Sequence, residues 1–130
     1  MNVNELMIGD WVQPPDSVGR VVSIAKIKAI DSYAVMTNVG GPWLFDEIDP
    51  IPLTPEILDK NGFGYVLKVK EWAHFYLGKE HCENANYHIG TNNRGIYWLN
   101  TGRNSIYGLQ FVHELQHALR LCGIENEIEL

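Results

Sequence analysis

Asp46-Glu47-Ile48-Asp49-Pro50-Ile51-Pro52-Leu53-Thr54-Pro55 is the stretch on which the architecture turns. Its three prolines fall within six positions, just behind three acidic residues. Proline has no N–H to give to a ladder and clashes with the preceding turn of a helix, so prolines this dense exclude a central strand or a helix interior. The stretch therefore reads as a connector, dividing the 130 residues into pieces 1–49 and 50–130. Both are small for independent cores, and a single compact domain also fits the length.

The first piece reads as β. Asn2 or Asn4 can cap a short turn through Glu5-Leu6-Met7, Gly9-Asp10 releases the chain into Trp11-Val12, and Pro14-Pro15-Asp16 is a turn. The β-branched run Val18–Ile24, then Tyr33–Thr37 and Trp43–Phe45, are strands, with Asn38 to Pro42 as a turn around Gly40-Gly41. Short strands in so few residues must curl to bury one face, which predicts a small SH3-like barrel.

The second piece mixes helix and strand, so the fold class is α+β. Thr54 is an N-cap, Pro55 sits in the first turn, Glu56 complements the helix dipole and Gly62 stops the helix. Strands follow over Tyr65–Trp72, around Tyr87-His88-Ile89 and over Ile96–Leu99, with Gly90–Gly95 as a hairpin loop. A helix from about Leu109 to Cys122 closes the piece, with Phe111, Val112, Leu115, Ala118, Leu119 and Cys122 as its apolar stripe. Beyond Gly123, the alternation of Glu125, Glu127 and Glu129 with Ile124, Ile128 and Leu130 predicts an added edge strand or a frayed tail.

Composition narrows the function classes. The chain is 45% hydrophobic and 20% charged, as in an ordinary soluble globular protein. Its net charge is −6, with seven acids and three bases in residues 1–50 and nine acids and seven bases in 51–130. Neither half carries the basic density that neutralises a phosphate backbone, which argues against nucleic acid as partner. Met1–Leu6 has neither the basic nor the apolar region of a signal peptide, and no apolar run is long enough for a bilayer, so the expectation is a cytoplasmic, non-membrane protein. Cys82 and Cys122 then read as reduced thiols, Cys122 as a small core residue.

One constellation could carry chemistry. His113-Glu114-Leu115-Gln116-His117 is HExxH on a helix. Imidazoles four apart share a helix face and can hold one zinc ion, while the glutamate between them can deprotonate a metal-bound water. The alternative function is therefore a zinc-dependent metallopeptidase, with His113 and His117 as metal ligands and Glu114 as general base. Three observations oppose it. Catalytic zinc takes three protein ligands, yet the extended pattern HExxHxxGxxH would need glycine at Arg120 and histidine at Gly123. Only 13 residues follow His117, leaving the tail glutamates or the upstream His74, His81 and His88 as third ligand. On the helical wheel His113 and His117 also lie opposite Leu115, beside Gln116 and Arg120, where a solvated face would place them. Glu80, His81, Cys82, Glu83 and His88 are metal-capable but have the spacing of a polar loop.

Asn4-Glu5-Leu6-Met7-Ile8-Gly9-Asp10-Trp11-Val12, Pro50-Ile51-Pro52-Leu53-Thr54-Pro55-Glu56-Ile57-Leu58 and Val112-His113-Glu114-Leu115-Gln116, in that order, span nearly the whole chain. In this layout the chain resembles a family of small uncharacterised proteins from Bacteroides-type gut bacteria, their phages and mobile elements, although Asp10 stands where that family more often has Asn. The resemblance implies no assigned activity. The family's third segment often reads His-Gln-Leu-Gln-Asn or His-Glu-Leu-Gln-Asn, which implies that Glu114 and His117 are permitted variants.

The balance favours a non-enzymatic accessory or interaction domain of phage or mobile-element type. It would use no cofactor and have a protein as its partner, met through the first piece's loops and aromatic residues Trp11 and Trp43. Nucleic-acid binding through the barrel is a further reading.

Overall fold

The computed structural model describes residues 6–14, 24–63, 65–69, 72–76, 88–92, 94–101, 105–124 and 127–130. The chain is α+β and divides into two compact units, Met1–Ile51 and Pro52–Leu130.

The first unit is an antiparallel sheet of β1 (Trp11–Gln13), β2 (Ala25–Ile30), β3 (Ala34–Thr37), β4 (Gly40–Leu44) and β5 (Asp49–Pro50), in the order β4-β3-β2-β1-β5. Its core is Leu6, Val12, Ile27, Val35 and Ile48, with Ile30, Trp43 and Phe45 packed on it. A 3-10 turn, Phe45–Glu47, leads into β5. Pro50 is tolerated because β5 is an edge strand with a single neighbour, β1. The connector's first half is thus part of the sheet, and the units divide after Ile51.

Of the strands expected upstream, Val18–Ser23 lies outside the described residues, as do Asn2, Asn4, Pro15 and Asp16. Ile24 precedes the strand and does not belong to it. The strand β2 follows from Ala25-Lys26-Ile27-Lys28, whose alternation buries Ala25 and Ile27 and leaves the lysines outward. Gly40 and Gly41 are not a turn but the start of β4, and the reversal falls on Asn38-Val39. Gly41 has φ +129°, and a Cβ there would meet the Val35 carbonyl oxygen at 3.0 Å. Thr37 holds the hairpin: its Oγ1 donates to the Gly40 carbonyl and accepts from Val39 N–H and the Trp43 indole N–H. The preceding β2–β3 hairpin is held by the Asp31 carboxylate, which accepts N–H bonds from Tyr33 and Ala34 at 2.7 Å each.

The second unit opens on α1 (Pro55–Lys60), capped by the Thr54 hydroxyl accepting from Ile57 N–H and ended at Gly62 with φ +92°. Its sheet is antiparallel and five-stranded, each strand paired with the next along the chain. The expected strand Tyr65–Trp72 is an antiparallel hairpin instead, β6 (Tyr65–Val69) and β7 (Trp72–Tyr76), with Val69 paired to Trp72. Lys70-Glu71, between the paired Val69 and Trp72, has none of the glycine, proline or asparagine that marks a turn, which concealed that reversal. β8 (His88–Thr91) takes Gly90 and Thr91 out of the expected loop, and the Thr91 hydroxyl closes the shorter loop by donating to the Ile96 carbonyl. β9 (Tyr97–Asn100) follows, then β10 (Ser105–Leu109), in a segment that carried no strand signal because a bulge with Gly108 at φ +79° interrupts it.

α2 runs Val112–Leu121, three residues shorter at its start than expected because Leu109 belongs to β10. A left-handed Gly123 (φ +71°) ends it, with Ile124 N–H bonded back to the Leu119 carbonyl. Val112, Leu115, Ala118 and Leu119 are buried as the stripe requires, while Cys122, a free thiol, and Phe111 are only half-buried. The tail is neither strand nor frayed over 127–130. Ile128 is 2% exposed, and the Asn61 amide bonds the Glu129 backbone on both sides, accepting its N–H at 2.6 Å and donating to its carbonyl at 2.8 Å. No helix among the described residues is long and apolar enough to cross a membrane.

Candidate functional site

The HExxH residues sit on the first two turns of α2. Their environment differs from the solvated face drawn by the helical wheel. His113 is 3% exposed and Gln116 is buried as well, while Glu114 and His117 are half-buried. The wheel failed because it assumes one covered side; the start of α2 is covered over a wider arc. The His113 ring lies parallel to that of Phe111, with centres 6.0 Å apart and planes 9° apart, and meets the His117 ring edge-on at 5.7 Å.

Glu114 has a visible task. Its Oε1 accepts the backbone N–H groups of Gln110 and Phe111, both at 3.1 Å. These are the N–H groups of the N-cap residue and of the residue before it, and a carboxylate there also meets the positive end of the helix dipole. Phe111 has no side-chain acceptor to return the bond, so only the glutamate half of a capping box is built. Among the described residues, no group of three His, Cys, Asp or Glu side chains stands close enough to hold a metal ion. Glu80, His81, Cys82 and Glu83 lie outside the described residues.

The tryptophans expected at a contact surface are both half-buried. Trp43 packs on the first unit's core with its N–H on Thr37, and the Lys26 ammonium stands over the Trp11 ring at 5.4 Å.

A second cluster escaped the sequence reading. In the second unit's sheet, Ala73, Phe75, Ile89, Thr91, Tyr97 and Leu99 are buried, and the alternate positions form the opposite face. There His74, Gly90 and Trp98 stand directly across from one another on β7, β8 and β9. His88, two residues before Gly90, shares that face, and Tyr107 on β10, 73% exposed, has its ring 6.4 Å from that of Trp98. The absence of a side chain at Gly90 lets the Trp98 indole lie over its backbone: a Cβ there would fall 2.3 Å from two ring carbons. The indole meets the His74 ring edge-on at 6.4 Å, and the His74 and His88 rings are 5.0 Å apart. Burial, reinforced by the neighbouring His74, holds the His88 imidazole below its ordinary pKa. The only signal in the sequence was the period-two placement of His74, His88 and Trp98, which gains meaning once the register aligns three strands.

No protein-family profile matches this chain, and neither the curated proteins nor the solved structures provide a match.

Proposed function

We propose that this chain is a non-enzymatic binding module, an accessory protein that acts by contact with a protein partner. The observation that carries the reading is the engagement of Glu114. Glu114 Oε1 accepts two backbone N–H groups at the start of α2, which gives this glutamate a structural role that requires no metal and no bound water. The first unit supports it from another side. Five antiparallel strands in the order β4-β3-β2-β1-β5, with a 3-10 turn before the last strand and that strand paired to the first, support reading this unit as SH3-like, a fold that hosts many binding domains, although no closed barrel is formed among the described residues. The resemblance in layout to small proteins of Bacteroides-type bacteria, phages and mobile elements is a further support for an accessory role, which we place in the cytoplasm. The charge of −6 disfavours a nucleic-acid partner.

The second reading, a zinc metallopeptidase, is favoured by one observation: His113 and His117 bring their rings to 5.7 Å on one side of α2. The two readings separate by activity. Incubation of the purified protein with Zn²⁺ and a mixed peptide library is expected to give no cleavage. Hydrolysis that vanishes in a folded Glu114→Gln variant would replace the binding module with the peptidase.

A further inference from the structure

We propose that His74 and His88 form a binding site for a divalent transition-metal ion of the zinc and copper class, on the face of the second unit's sheet opposite its buried Phe75, Ile89 and Leu99. The geometry begins with the register. His74 pairs with Gly90, so His88 is its diagonal neighbour on the adjacent antiparallel strand, and both rings rise from the same face. Their centres are 5.0 Å apart with planes inclined by 59°. Two imidazoles bound to one tetrahedral zinc, each through a bond of about 2.0–2.1 Å, have ring centres about 5 Å apart, so the pair stands at the chelating separation without rearrangement of the strands.

The chemistry of the donors agrees. His74 Nδ1 is buried and has no hydrogen-bond partner among the described residues. A buried ring nitrogen left unmet carries a desolvation cost that a bound ion would relieve, which makes it one of the donors. Imidazole nitrogen suits Zn²⁺, Cu²⁺ and Ni²⁺ better than Mg²⁺ or Ca²⁺. Trp98, resting on Gly90 and edge-on to His74, walls one side of the pair. With two protein donors the ion keeps coordination positions for water or for a donor from a bound partner. The site is separate from the helix α2 and is independent of whether the chain is a binding module or a peptidase.

Zn²⁺ alone is the probe. Equilibrium dialysis of the full chain, with histidine side-chain NMR, is expected to give one ion per chain at this site and to shift the ring resonances of His74 and His88. His74→Gln and His88→Gln should each weaken binding by roughly tenfold or more, while His113→Gln and His117→Gln leave it unchanged. Should either of the first two variants fail to fold, the ring shifts in the unmodified chain decide. Absence of binding at millimolar Zn²⁺ would overturn the proposal, as would binding indifferent to His74 and His88 or ring shifts confined to other histidines. Binding lost only in His113→Gln and His117→Gln would overturn it too, moving the ion to α2, and peptide hydrolysis would still have to be shown separately.

Discussion

A single carboxylate changes the meaning of the one catalytic-looking motif in this chain. Glu114 occupies the middle of HExxH, yet it serves as the cap of α2, collecting the N–H groups of Gln110 and Phe111. Glu114→Ala should therefore destabilise the protein by about 1 kcal/mol, seen as a lower urea midpoint with an unchanged slope. The Thr54 hydroxyl does the corresponding work for α1, and Thr54→Ala should cost about 1 kcal/mol in the same measurement. These two caps differ in legibility. Thr54, followed by Pro55 and Glu56, is a local pattern whose parts are adjacent in sequence. Glu114 was hidden because the residue three before it is Phe111, which completes no recognisable box and left the zinc pattern as the only visible reading.

Elements gain their properties from pairing. The face carrying His74, His88, Trp98 and Tyr107 exists only because β7, β8, β9 and β10 align in one register. Gly90→Ala places a methyl group within the Trp98 ring, so the indole must move. The expected result is a loss of about 1–3 kcal/mol and a displaced Trp98 indole N–H resonance, the usual consequence of overpacking. The tail behaves similarly. Asn61 bonds the Glu129 backbone as a neighbouring strand would, and Ile128 is buried. Asn61→Ala should speed amide exchange at Glu129, read by hydrogen-exchange NMR, with a stability loss of about 1–3 kcal/mol. The strands that sequence misplaced were lost for physical reasons. β2 alternates apolar residues with lysines and was outweighed by Val21-Val22, the β6–β7 reversal falls at Lys70-Glu71 without a glycine, proline or asparagine to mark a turn, and β10 is broken by the Gly108 bulge.

For the molecule as a whole, the titrating groups set a pH response. The His88 pKa lies below its ordinary 6.5, so the unfolded chain binds its proton first as pH falls. This contribution to stability is complete above about pH 6.5, and it declines as pH drops from there through the folded-state pKa. Asp31, held below 3.8 by the N–H groups of Tyr33 and Ala34, adds a second loss at more acid pH. Unfolding midpoints followed from pH 7 to pH 5 should fall, and His88→Gln should flatten that slope without touching the acid limb. By itself the sequence determined what depends on neighbours along the chain: an α+β composition, the capped α1, the amphipathic α2 with its glycine stop, and the break near Pro50–Pro55. Only the tertiary structure decided which side of α2 is covered, what Glu114 bonds, and that His74, Gly90 and Trp98 meet. Those contacts join residues brought together by strand register and packing, and neither is set by local periodicity.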